Sequence, residues 1–249
     1  MSLALTHLIG FGSRRPSVGG GGGGASGNDA FTKILLHFDG SDGSTSFVDS
    51  NAGGSAHTWT ANGDAQLDTA QLKFGTASGL FDGSGDYISA PDHADFSLGS
   101  SDWVIDFWLK TAVSGLMYIC GQCDGAGSTS SIAAYVEKTA GNVLRVAVNV
   151  GGSIYSVAGT TAVNTGAQVH CAAVRSSNTL KLYVNGVKEG TDASGLGAIN
   201  DSGSPFGVGG LGVYGFTRFN GWLDEFRLSV GTDRGWNGAS FSVPTAPYS

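Results

Sequence analysis

In Leu180-Lys-Leu-Tyr-Val-Asn-Gly-Val-Lys-Glu189 a short run rich in apolar and β-favouring side chains, Leu180 to Val184, leads directly into Asn185-Gly186. Such a run reads as a strand, and Asn-Gly suits a type I′ turn because both central residues take positive φ. The stretch therefore reads as a β-hairpin, Leu180–Val184 outward and Val187–Glu189 in return. Upstream, Gln168 to Arg175 is an apolar strand, and Leu144, Val146, Val148 and Val150 alternate with Arg145, Ala147 and Asn149 as a half-buried one. Trp103 to Leu109 is apolar on both faces, and Phe31 to Phe38 opens the series. Turn clusters such as Asp39-Gly-Ser-Asp-Gly43, Asp82-Gly-Ser-Gly-Asp86 and Asn200-Asp-Ser-Gly203 separate these runs. No apolar period of the helical kind is long enough for more than a turn or two. Many short antiparallel strands leave a sandwich or a barrel, and the lack of an internal repeat argues against a propeller.

The 249 residues fit one sandwich core, since such folds often use more than ~200 residues as a single unit. Gly supplies 42 residues, charged side chains 13% and hydrophobic ones 41%, a balance suited to short strands and tight turns rather than to disorder. The net charge of −7 is spread over dispersed Asp and Glu, with no cationic cluster beyond Arg14-Arg15. A surface that tracks phosphates needs concentrated positive charge, so nucleic acid is not an expected partner. No stretch approaches the ~20 apolar residues of a membrane helix, and the acidity leaves room for a hard cation such as calcium. Three cysteines cannot all pair with one another. Cys120-Gly-Gln-Cys123 lacks both the further ligands of a zinc site and the helix of a redox motif, so it reads as buried, reduced thiols.

Four segments occur in order: Phe81-Asp-Gly-Ser-Gly-Asp-Tyr-Ile88, His170-Cys-Ala-Ala-Val-Arg175, Leu180-Lys-Leu-Tyr-Val-Asn-Gly186 and Phe219-Asn-Gly-Trp-Leu-Asp-Glu-Phe-Arg-Leu228. Together they resemble the laminin-G-like branch of the concanavalin-A-like superfamily, over about residues 31 to 230. Gln168-Val-His170 stands where such modules usually begin the strand with Trp-His. The resemblance implies an all-β jelly-roll sandwich of two antiparallel sheets, often with calcium at one rim and glycan or protein recognition elsewhere. It does not imply a substrate, because one fold hosts many functions.

Residues 222, 224, 226, 228 and 230 are expected to share one strand face, which puts Asp224 among Trp222, Phe226, Leu228 and Val230. An inward carboxylate is costly unless paired or bound to a cation. The resemblance implies calcium at Asp224 with Asp39 or nearby carbonyls. Hydrogen bonding to backbone, or a solvated strand end, is the alternative, and both readings stay open here. Asp42, Asp49, Asp82 and Asp86 read as turn residues that bond their own backbone.

Catalysis on this fold needs two carboxylates on alternate positions of one strand, as in Glu-x-Asp-x-x-Glu, and no such triplet occurs. Asp224 and Glu225 are adjacent and expected on opposite faces, Asp106 stands alone, and His37, His57, His93 and His170 lack a nucleophile motif. The chain therefore reads as a non-enzyme. Among the large aromatics, Trp59, Trp103, Trp108, Trp222, Trp236, Tyr155 and Tyr183 are sugar-stacking candidates, although Trp103 and Trp222 read as core. Tyr214 and Phe216, in the loop from Gly207 to Phe219, are the better candidates for exposed, glycan-binding rings.

Residues 1–30 stand apart from the sandwich of residues 31–249 as an extended amino-terminal anchor. Leu3, Leu5, Leu8, Ile9 and Phe11 precede Arg14, Arg15 and Pro16, and the unbroken run Gly19 to Gly24 behaves as a flexible tether. The apolar run has no preceding positive charge and no clear cleavage site, so it does not read as a signal peptide, and release by lysis or within a particle is expected. Met1 to Gly12, the glycine run and Leu35-Leu-His-Phe-Asp-Gly40 also resemble the start of laminin-G-like proteins encoded among phage structural genes. The expectation is a virion protein, a capsid decoration, fibre or tail component. Its expected partners are other virion proteins through residues 1–17, cell-surface glycans and further copies of the chain. A free extracellular, calcium-dependent lectin-like module is the alternative.

Overall fold

The computed structural model describes residues 27–123, 132–212 and 217–249. Within them run β1 (Thr32–Leu36), β2 (Thr60–Asn62), β3 (Gln66–Asp68), β4 (Ser78–Asp82), β5 (Tyr87–Ala90), β6 (Trp103–Lys110), β7 (Met117–Cys123) and β8 (Ile132–Lys138). There follow β9 (Val143–Val150), β10 (Ser153–Ala162), β11 (Val169–Ser176), β12 (Thr179–Val184), β13 (Val187–Ala193), β14 (Phe206–Val208) and β15 (Asn220–Val230). The first sheet has the order β13-β12-β11-β6-β15-β4-β3, with β1 also pairing β15, and the second has the order β10-β9-β8-β7-β14-β5-β2. All the pairings are antiparallel. This is the expected jelly-roll sandwich. Among the described residues the helical content is one 3₁₀ turn, Ala94–Phe96, and no helix is long and apolar enough to cross a membrane.

The core lies between the sheets and follows from alternation. Trp103, Ile105, Phe107 and Leu109 of β6 point inward with Leu144, Val146 and Val148 of β9 and Cys171 and Ala173 of β11. Each such fully buried large side chain stabilises the fold by roughly 1.5–3 kcal/mol. The hairpin reading holds in detail: Asn185 and Gly186 have φ of 49° and 76°, and β12 pairs β13 across them.

The final strand departs from the expected alternation. Asp224 faces Trp108 and Arg227 faces Asp106, so Glu225 and Phe226 together oppose one residue of β6. Glu225 has φ 50°, the left-handed conformation of a β-bulge. The extra residue inverts the phase, so Leu223, Phe226 and Leu228 face the core while Trp222, Asp224, Arg227 and Ser229 face outward. Asp224 is thus not grouped with Phe226 and Leu228. Trp222 is not a core residue but a half-buried one on the outer face, its Nε1 donating to Asp68 Oδ2 at 2.6 Å. Trp103, by contrast, is wholly buried in the core.

Candidate functional site

The two outer faces differ in what covers them. On the first sheet the segment 232–249 lies across β6, β11 and β12. Trp236 stacks on Phe241 at 4.0 Å and 1°, and both pack on Val104, Ala172, Val174 and Tyr183. The Tyr183 hydroxyl donates to Gly238 O at 2.9 Å. Beneath this cover Asp106, fully buried, accepts from Arg227 Nε at 2.9 Å and lies 3.3 Å from His170 Nε2, and the Tyr248 hydroxyl donates to it. Burial raises the Asp106 pKa, but the Arg227 charge and the His170 hydrogen bond outweigh it and hold the carboxyl below its ordinary range. Asp106 remains the one acid of its strand, and these groups are engaged in holding down the C-terminal segment. Glu225 joins them: its carboxylate meets His37 Nδ1 at 2.7 Å and accepts from Tyr248 N at 2.9 Å, on the same outward side as Asp224.

The outer face of the second sheet carries a different set. The register puts Tyr118, Glu137, Arg145 and Ala158 side by side across β7, β8, β9 and β10. The neighbouring row is Thr60, Ser89, Gly207, Gly121, Tyr135, Ala147 and Ser156. Tyr118 and Tyr135 meet edge to face at 5.5 Å. Arg145 Nε lies 2.8 Å from Glu137 Oε1, and its Nη2 donates to the Tyr135 hydroxyl at 3.1 Å. Glu137 and Tyr135 are buried, and burial raises both pKa values, that of Tyr135 to about 12. They act as supports. The side chain of Arg145 is 37% exposed and Tyr118 is half-buried, so these two present a guanidinium and a ring to the surface in a held arrangement.

The connection from β14 to β15 crosses this face. Gly207 has no side chain, and a Cβ there would lie 2.2 Å from Gly212 N, so the connection packs directly on the sheet. Gly209 N donates to Ile119 O, Tyr118 N donates to Thr217 O at 3.0 Å, and Leu211 packs against Cys123, Tyr135 and Ala147. Arg218 sits 4.0 Å over the Tyr87 ring and donates to Gly212 O. Tyr214 and Phe216, expected to bind glycan, lie outside the described residues, but Thr217, the residue after Phe216, is bonded to Tyr118. Sequence reading missed Tyr118, Tyr135 and Glu137 because only strand register brings them to Arg145. Leu3, Leu5, Leu8, Ile9, Phe11, Arg14 and Arg15 also lie outside the described residues.

Asp224 and Asp39 both hold the segment before β4. Asp224 Oδ2 accepts from Lys73 N at 2.6 Å and Phe74 N at 3.0 Å, while its Oδ1 is buried without a partner. Burial raises the Asp224 pKa to about 7 against the pull of those two amides. Asp39 Oδ1 accepts from Thr76 N and from Thr76 Oγ1. Calcium takes ~6–8 oxygen ligands, and Asp224 Oδ1 is a buried oxygen left without a partner here. Asp82 accepts from Ser84 N and Asp49 from Asn51 N, as expected of turn residues, but Asp49 also accepts from Leu35 N, and Asp42 and Asp86 accept from the distant Thr69 N and Asp64 N, so these three tie separate segments together. Cys120, Cys123 and Cys171 are buried outside any disulfide, and burial pushes the Cys120 and Cys171 thiols well up, away from reactivity.

The family model described as the concanavalin A-like lectin/glucanases superfamily matches residues 82–231. The binding domain of Paraclostridial Mosquitocidal Protein 1 has a TM-score of 0.61 at 15% identity, over 82% of this chain and 50% of that one. The binding domain of botulinum neurotoxin serotype G gives 0.58 at 16%, over 81% and 48%. Domain 4 of AbnA, a GH43 extracellular arabinanase from Geobacillus stearothermophilus, in complex with arabinotriose, gives 0.56 at 18%, over 84% and 98%. The chain thus spans about half the length of the two toxin binding domains. No curated protein sequence matches it.

Proposed function

The chain belongs to the concanavalin A-like lectin/glucanases superfamily, and from that membership we propose that it is a glycan-binding module without enzymatic activity, engaging sugar at Tyr118 and Arg145. The observation that carries this is the pairing of a half-buried ring with a guanidinium held by Glu137 and Tyr135, on the sheet opposite the one that the C-terminal segment covers. A sugar presents an apolar ring face and a fan of hydroxyls, which an aromatic ring and a charged planar donor respectively match. The arabinotriose held by the AbnA domain supports the reading. So does the engagement of Asp106 and Glu225 in internal hydrogen bonds, which leaves them unable to act as a catalytic pair.

The test is a glycan array followed by calorimetry on neutral and acidic oligosaccharides. Tyr118→Ala and Arg145→Ala are each expected to weaken binding at least about tenfold, or about 1.4 kcal/mol, with Tyr118→Phe close to wild type. Unchanged affinity in both alanine variants would move the site elsewhere. The same titrations with calcium and with chelator test calcium at Asp224 and Asp39: loss of binding on chelation supports it, and equal affinity removes it from the proposal.

Display on a phage particle is the second reading, resting on the apolar and basic residues 1–17 and the glycine run that follows. Deleting residues 1–17 is expected to leave the melting temperature unchanged and abolish incorporation into particles. Normal incorporation would overturn particle attachment while leaving the glycan proposal standing.

A further inference from the structure

Two histidines and an aspartate far apart in sequence converge beside the 3₁₀ turn. His57 comes from the connection between β1 and β2, and His93 and Asp95 from the cap and first turn of Ala94–Phe96. One ring nitrogen from each histidine and an Asp95 carboxylate oxygen all lie within 4.8 Å of one another. Asp95 Oδ2 is 3.5 Å from His57 Nε2 and 3.2 Å from His93 Nδ1. A tetrahedral ion with bonds of ~2.0–2.1 Å holds its ligand atoms about 3.4 Å apart, so both separations suit one ion between them.

The surroundings orient these groups. Ser55 N donates to Asp95 Oδ2 at 3.2 Å, and the His57 ring packs on Phe96 at 4.6 Å. The His57 Nε2–H donates to Lys33 O at 3.2 Å, so a metal at Nε2 would displace that proton and replace this contact. His93 Nδ1 accepts from Asp95 N at 3.1 Å, a contact that a metal would replace at a site where water can satisfy the amide. The His57 side chain is only 5% exposed and that of His93 42%, so the cluster has a fixed wall and an open mouth. Two imidazoles and one carboxylate match zinc or another late first-row ion, whereas calcium prefers an all-oxygen shell.

We propose that His57, His93 and Asp95 form a site for a divalent transition-metal ion of the zinc class, with a position left for water or an external ligand. Bound metal would fasten the stretch around Ser55 to the turn ahead of β6, independently of the surface at Tyr118.

Untagged protein should be titrated with cobalt(II) and then zinc(II). One equivalent of cobalt is expected to develop visible ligand-field bands without thiolate charge transfer. Zinc should displace it, with micromolar affinity and a raised melting temperature. His93→Ala and Asp95→Asn should each weaken zinc binding at least tenfold, and His37→Gln should leave it unchanged. No cobalt spectrum in the wild type, or equal zinc affinity in correctly folded His93→Ala and Asp95→Asn proteins, would overturn the site.

Discussion

Asp106→Ala is expected to destabilise the sandwich by about 3–5 kcal/mol, because it leaves Arg227 charged and buried with its main partner removed. Arg227 is 1% exposed, and its Nη2 already lacks a partner, so little is available to take up the loss. It keeps Nη1 to Gly27 O at 3.1 Å and the rings of Tyr248 at 3.7 Å and Trp236 at 5.4 Å, none of which carries a compensating charge. The Tyr248 hydroxyl loses its acceptor at the same time. Urea unfolding measures the effect, and for a chain of this size the melting temperature should fall by roughly 10 °C. Adding Arg227→Met to Asp106→Ala should recover a large part of the loss, since an apolar replacement of both partners leaves no stranded charge. A loss below about 1 kcal/mol for the single variant would mean that water reaches Arg227 beneath the C-terminal segment.

The second large effect concerns pH. The folded-state pKa of Asp224 is raised from 3.8 to about 7 by burial, so between those values the folded chain binds more protons at this group than the unfolded chain. Its contribution is therefore complete below about pH 4 and is lost as the pH rises to about 7. Asp224→Asn should remove that dependence. Above about pH 7 it should stabilise the fold by on the order of 2–4 kcal/mol, the displacement at 1.36 kcal/mol per unit giving the upper end. The comparison is made by urea unfolding across the pH range in chelator, since a cation at Asp224 would favour the ionised form and reverse the sign. A wild-type profile parallel to that of Asp224→Asn would show that Asp224 titrates normally in the fold.

Local patterns carried most of the architecture. The Asn185-Gly186 turn, the alternation of β9 and the doubly apolar β6 are properties of neighbouring residues, and each appears where its periodicity puts it. The bulge at Glu225 is of another kind. Nothing in Trp-Leu-Asp-Glu-Phe-Arg marks an extra residue, because the bulge exists only relative to the partner strand. That one insertion moved Trp222 and Asp224 to the outer face and turned Asp224 and Glu225 to the same side. The surface at Tyr118 and the cluster at His57 were illegible for the same reason. Tyr118, Glu137 and Arg145 meet through strand register, and His57 reaches His93 across 36 positions of sequence. The histidines were visible one by one, but their convergence belongs to the fold.

The ends of the described sandwich meet. Gly27 O accepts from Arg227 on the outer face of the first sheet, and Asn28 N donates to Ser249 O at 3.4 Å. A domain with adjoining ends can be spliced into the loop of a host protein, or have its ends joined and reopened elsewhere, with little change to its packing. Here the adjoining ends also define a polarity. Whatever is fused at Gly27 or Ser249 attaches behind the first sheet, so the row of Tyr118, Glu137 and Arg145 on the second sheet points away from it. Copies attached to a common scaffold through these ends would turn that row toward the surroundings, and the number of attachment points would set the valency with which the array meets a repeating surface.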